Sequence, residues 1–248
     1  MPLPDAETVL QTLDRCRAVV HAPIPRPSDA DAARLAAGEV VRVVRHGDPS
    51  EPSTAIGLAV LEGALPTLWL AAQDPHTNVD PALTEFVLGD APDGTVLWYG
   101  HLDLPAPITD RQWVVASADN RAAADVGCWE HHWRLAADEL PRAREALAAG
   151  KAPALGPEVV DAAVTTPVNH GAWMLSAVDA EHTLVVYQAT SVVGGAIPDW
   201  LVLKLTTARL ESVLRNVETL GRDWVPEHYG PTHAPVRGPD RQVLEPWR

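Results

Sequence analysis

Apolar residues recur at helical spacing from the start of the chain. Val9, Leu10, Leu13, Cys16 and Val20 share a stripe, which predicts an amphipathic helix over residues 5–20. The prolines of HAPIPRPSD end it, because proline supplies no N–H to a helix interior. A short helix over 30–37 closes at Gly38, a natural C-terminal stop. The period then changes. The β-branched GEVVRVVRHGDP run predicts a strand closed by a Gly47-Asp48-Pro49 turn, and 53–61 predicts a second strand. Residues 65–73 return to a helix, opened by Pro66 at a tolerated first-turn position. Next come four predicted strands, 83–88, 95–102, 111–117 and 126–136, punctuated by Gly, Pro, Asp and Asn. A helical insertion over 141–149 and a helical turn over 157–164 precede a last hairpin, 172–178 with 182–190. Residues 197–220 form the longest helical pattern, and the tail beyond Gly221 carries five prolines, as expected of a segment wrapping the surface.

Strands in meander order followed by one long helix make an α+β signature, not the alternation of a doubly wound fold. No Gly-rich phosphate loop, G-x-S-x-G elbow or H-E-x-x-H is present in the sequence. The net charge of −14 excludes a phosphate-backbone reader, which needs clustered Lys and Arg, so no nucleic-acid partner is expected. The same acidity disfavours tight docking on anionic membranes and is compatible only with a transient membrane contact. No apolar run reaches a bilayer's span, and the first residues are acidic and amphipathic, unlike a signal peptide. Cys16 and Cys128 lack metal or redox spacing and are read as buried, reduced thiols of a cytoplasmic protein.

Two stretches carry a resemblance. YGHLDLPAPITDRQWVV, residues 99–115, places Pro105 and Pro107 in a turn before Arg111 and Trp113. Further on, Gly171 and Trp173 lie on one strand and Thr183, Val185 and Tyr187 on the next; Gly194, Gly195, Ile197, Pro198 and Trp200 lead into the long helix. In order and spacing this resembles the START family over roughly residues 40–220. Gln112 stands where the family usually has Asp, and Ser191-Val192-Val193 replaces an acidic residue before the glycines. The resemblance implies a helix-grip fold: a curved antiparallel sheet wrapped around a long C-terminal α-helix, with an internal hydrophobic cavity. It implies one bacterial START-like domain over 1–248, with an N-terminal helical segment (1–37), the helix-grip core (40–220) and the Pro-rich tail (221–248). It also implies binding, transport or sensing of a lipid, sterol-like or fatty acyl ligand without catalysis. The competing reading is a polyketide cyclase or aromatase on the same scaffold, with His131, Glu130 or Tyr187 as acid or base.

Strand alternation nominates the cavity wall. In GCWEHHWRLA, Trp129, His131, Trp133 and Leu135 share one face, and Cys128, Glu130, His132 and Arg134 the other. The first face is the more apolar and is expected on the concave side, with His131 placed to meet a ligand's polar head. Trp113, Trp173 and Tyr187 belong to the same wall, since aromatic walls with few polar tips suit lipophilic pockets. The long helix has two apolar stripes. Leu201 and Leu205 are expected to face the ligand, while Leu203, Leu210, Leu214 and Val217 form the other stripe. Asp103 and Arg111 flank the proline turn and are expected to pair at the cavity floor or rim. Cys128 and His132 share a face but have no evident third ligand, so no metal is expected, and no cofactor or catalytic residue is assigned.

Overall fold

The computed structural model describes residues 3–47, 52–74, 81–195 and 197–245. The 48–49 turn and the last three residues of the tail lie outside them. Helix α1 (Ala6–Arg17) is capped by the Asp5 carboxylate, which accepts the Thr8 N–H at 2.8 Å. Helix α2 (Asp29–Ala36) begins at a Ser28 cap. Strands β1 (Val41–Arg45) and β2 (Thr54–Glu62) form a hairpin, and α3 (Leu65–Gln73) follows with its proline in the first turn. Strands β3 (Leu83–Asp90), β4 (Val96–Leu102), β5 (Arg111–Asp119) and β6 (Trp129–Leu135) make the meander. A four-residue helix, α4 (Arg121–Ala124), sits in the β5–β6 connection. The predicted start of β6 at 126 is too early: Gly127 takes φ +77°, which turns the chain before the strand begins.

The insertion folds as α5 (Leu140–Ala148) and α6 (Val159–Ala162). Strand β7 (Val164–Thr165), which has no sequence signal, pairs in parallel with β5. Strands β8 (Val168–Ala177) and β9 (His182–Val192) form the last hairpin, and α7 (Asp199–Asp223) and α8 (Val225–His228) follow. Among the described residues the nine strands make one curved sheet in the order β1-β2-β9-β8-β6-β5-β4-β3, antiparallel apart from β7.

Three apolar clusters hold it together. On the concave face, Leu214 and Val217 of α7 and Leu68 and Trp69 of α3 pack on Ala59, Leu175 and Val185 of the sheet. Gly57 lets α7 come close: a Cβ there would stand 3.0 Å from Leu214. On the convex face, Val9, Leu13 and Cys16 of α1 cover Leu58, Met174 and Val186. Further along the same face, Ala143 and Leu147 of α5 cover Leu97, Tyr99 and Val114. The insertion is therefore a lid over β3–β5 that buries Tyr99 completely. The tail returns to the core, where Leu244 is buried in the α3–α7 cluster. Near its start, Trp224 Nε1–H and the Tyr229 hydroxyl both donate to Asp74 at the end of α3, each at 2.9 Å.

The thiol reading is corrected. Cys16 and Cys128 are joined in a disulfide that ties α1 to the entry of β6 across 112 residues of chain. Strand alternation put Cys128 on the convex face, and the α1 stripe put Cys16 on the helix's inward side. Where those surfaces meet, the two sulfurs meet. The argument for a reducing compartment from free thiols goes with them.

Candidate functional site: a cavity between sheet and helix

The concave face is not filled. Between the sheet and the middle of α7 lies a cavity of about 490 Å³. Leu83 and Glu85 of β3, Trp98 of β4, and Trp113, Val115 and Ser117 of β5 form one wall. His131 and Trp133 of β6, Asn169 and Trp173 of β8, and Tyr187 and Ala189 of β9 form the other. Thr206, Arg209, Ser212 and Val213 of α7 close the top. A second space of about 410 Å³ shares Ala189, Ser191 and Thr206 with the first and runs under Trp200, Val202 and Leu203 at the start of the helix.

Glycines seat the indoles. Gly100 is the ladder partner of Trp113, and Gly171 that of Trp133. In both pairs the indole lies over the glycine: a Cβ at either position would fall 2.4 Å from ring atoms. The rings thus lie along the sheet and leave the space above them open. Tyr187 sits between Trp173, 4.4 Å away by ring centroids, and Trp133 at 6.0 Å. The Trp133 Nε1–H donates to Asn169 Oδ1 at 3.0 Å, which fixes the indole edge. His131 is held by Asp119 through Nδ1 at 2.7 Å.

One carboxyl, Glu85, stands in the sheet wall of the cavity. Glu85 makes no hydrogen bond or ion pair among the described residues. Water entering the cavity reaches the side chain, yet sheet and helix close around it, and burial pushes the carboxyl up to about 7 from its ordinary 4.5. Burial also raises the Tyr187 phenol, and the nearby Glu85 charge adds to the effect. Nothing described donates to or accepts from that hydroxyl. Asp74 also lines the space but already accepts from Trp224 and Tyr229, so the cavity offers one acid without a described partner, Glu85, and one unpaired phenol in an aromatic setting.

Of the residues nominated from sequence, Trp113, His131, Trp133, Trp173 and Tyr187 line the cavity together. Trp129 shares their face but lies beyond the cavity's end, buried edge-on against Trp69 in the α3–α7 core. Leu205 is 56% exposed and Leu201 half-buried, and neither lines either space. The stripe through Leu203, Thr206 and Leu210 is the one turned to the sheet. Asp103 and Arg111 do not pair. Asp103 is exposed, whereas the buried Arg111 guanidinium donates to the carbonyls of Val193 at 2.6 Å and Gly194 at 2.9 Å, and to Thr109 O. Arg111 is a clamp joining the proline turn to the β9–α7 junction, where Gly194 and Gly195 have φ +69° and +70°. Glu130 is on the opposite face of the sheet, out of the cavity. Sequence reasoning missed Glu85, Trp98, Asn169 and Arg209. For Glu85 the signal was present: an acid in the middle of the strand LTEFVLGD, on the face opposite Phe86 and Leu88, which pack under α5.

No family model and no curated protein matches the sequence. Solved structures do match in shape. A STAR-related lipid transfer protein fragment from Xanthomonas axonopodis superposes with a TM-score of 0.56 at 21% identity, covering 74% of this chain and 94% of that one. Human STARD10 gives 0.56 at 12% identity, covering 92% and 84%. Human StAR-related lipid transfer protein 5 gives 0.55 at 15%, covering 88% and 95%. With a curved antiparallel sheet closed over a long C-terminal helix, this chain has the helix-grip fold of the START-type lipid transfer domains.

Proposed function

We propose that the protein binds a hydrophobic small molecule of the lipid, sterol-like or fatty acyl class in this cavity, to carry or to sense it. The observation that supports this most is the 490 Å³ space walled by Trp98, Trp113, Trp133, Trp173 and Tyr187. Its volume falls in the ~300–1,000 Å³ range of small-molecule pockets, and apolar ligand surface gains about 25 cal/mol per Å² on burial. Glu85 and Tyr187 give the ligand's polar end its partners; a carboxyl near half protonation at pH 7 can donate or accept, which suits a hydroxyl or a neutral acid. Trp200, Leu205 and Ile108 are exposed apolar residues that a transient membrane contact would cover. No helix among the described residues is long and apolar enough to cross a membrane. The whole chain works as one unit in this reading, since the disulfide fastens α1 to the sheet and Leu244 fastens the tail. The disulfide removes free thiols as support for the cytoplasmic assignment.

Titrating fatty acids and sterols while following Trp emission tests the reading. Saturable quenching or a blue shift is expected with at least one class, and none across a broad panel overturns it. Catalysis on a polyketide is the second reading, and Glu85 is the observation favouring it, because a cavity-facing acid raised to about 7 is suited to proton transfer. Turnover abolished by Glu85→Gln with ligand binding retained would establish that reading.

A further inference from the structure

The convex side of β6 carries a second constellation, unconnected with the cavity. Among the described residues, one group of three potential metal ligands comes together: His21 from the loop after α1, and Glu130 and His132 from β6. We propose that these side chains form a binding site for a borderline divalent transition ion of the zinc, cobalt or nickel type.

One ligand atom from each residue lies within 4.8 Å of the others. His21 Nδ1 stands 3.4 Å from Glu130 Oε2. Bonds of ~2.0–2.1 Å in a tetrahedral site leave ligand atoms about 3.3 Å apart, so this edge already has the required length. The two imidazoles lie 4.7 Å apart by ring centroids, tilted 54°. The His132 edges lie within 4.8 Å, and the His21 ring, 62% exposed, is free to swing to close them.

The surroundings build the site. Glu130 is completely buried and held by three donors: His21 N–H at 2.9 Å, Ala22 N–H at 3.0 Å and Asn120 Nδ2–H at 2.6 Å. The first two of those bonds fix the loop that carries His21 against the strand that carries His132. The Cys16–Cys128 disulfide fastens the same two segments close by, so little order remains to be imposed on binding. His132 Nδ1 is buried and has no hydrogen-bond partner, an orphan that a metal bond would satisfy. Two imidazoles and one carboxylate prefer borderline ions to calcium or magnesium, which take oxygen ligands. Three protein ligands leave a fourth position, on the exposed His21 side, for water. Strand alternation is what brings the pair together: Glu130 and His132 are two residues apart and so share a face.

The test uses the full chain with its disulfide intact, stripped by a chelator and titrated with cobalt(II) and zinc(II). One equivalent of cobalt should give the visible bands of a tetrahedral nitrogen–oxygen site without thiolate charge transfer, and zinc should raise Tm with concentration. His21→Ala and His132→Gln should each weaken binding by at least about 100-fold, since losing even an outer-shell partner costs 10–100-fold. His233→Ala, at an exposed imidazole in the tail, should change nothing. Absence of the cobalt bands, or zinc affinity that survives His21→Ala, overturns the proposal. His21 is exposed, so that variant reads the site without disturbing the core.

Discussion

The two faces of β6, together with its entry residue Cys128, do opposite work. On the concave side, His131 and Trp133 look into open space, and their partners are chosen to leave it open: glycine under one indole, a fixed amide at its edge. On the convex side, Cys128 and Glu130 are completely buried and tied down by a covalent bond to α1, two hydrogen bonds from the loop after it and one from Asn120. A cavity lowers stability, because its lining forfeits packing contacts. The closure of the opposite face offsets that loss. The comparison teaches that rigidity was placed behind the wall, where it does not occupy the ligand's volume.

The largest expected effect comes from breaking the closed face. Replacing Cys16 and Cys128 by alanine removes a cross-link spanning 112 residues and should cost about 2–5 kcal/mol. A thermal melt should show Tm lower by ~5–15 °C, with lipid affinity at low temperature little changed. A large loss of affinity in the folded double variant would mean that the two faces are not separable.

Gly171→Ala attacks the boundary between the faces. A Cβ there would meet Gln188 O at 2.2 Å and the Trp133 ring at 2.4 Å. Overpacking of this kind costs about 1–3 kcal/mol, and the displaced indole should enter the cavity. A shifted Trp emission with weaker lipid binding is expected; unchanged binding would show that Trp133 does not shape the site.

Trp133→Ala enlarges the cavity and removes ligand contact. Lipid affinity should fall by roughly tenfold or more, the equivalent of about 1.4 kcal/mol. Arg134→Ala should stay within about twofold, because Arg134 is exposed on the other side and, among the described residues, pairs with Asp93 alone. Equal losses would cancel the assignment of faces.

The smallest effect is a pH dependence confined to the open face. The folded-state pKa of Glu85 is raised, so its contribution is fully present below the ordinary 4.5 and is lost as pH rises through about 7. Cavity water screens part of the penalty. Glu85→Gln should therefore raise Tm by ~1–3 °C at pH 8 and leave it unchanged at pH 4, measured by scanning calorimetry. An equal shift at both values would assign the effect to packing.

Local rules were legible from the sequence. Pro66 fixed the start of α3, and the two-residue period of GCWEHHWRLA sorted its side chains between the faces of β6. What was not legible depends on where an element ends relative to its neighbours. Alternation gives Trp129 its face but not its position beyond the cavity's end. Helical spacing gives Leu201 and Leu205 a common stripe, but not which stripe the sheet lies beneath. Arg111 was expected to seek a carboxylate, and it found backbone carbonyls made available by two glycines with positive φ. Residues 16 and 128 carry no mark of each other, because their meeting depends on α1 crossing the convex face.

The pairing of β2 with β9 has a consequence for synthesis. Gly57 lies beside Tyr187, so the β1–β2 hairpin leaves the ribosome long before its neighbour exists. At about 5–20 residues per second the nascent chain waits roughly 6–26 seconds with one edge of β2 unpaired. That edge is the apolar TAIGLAVL run, buried throughout in the finished protein, and an open apolar strand edge is a template for association with other chains. The meander and the insertion made meanwhile cannot shield it, for they belong at the far end of the sheet. Only the last hairpin closes the gap, which makes the emergence of residues 182–192 the moment at which translation can yield a folded sheet.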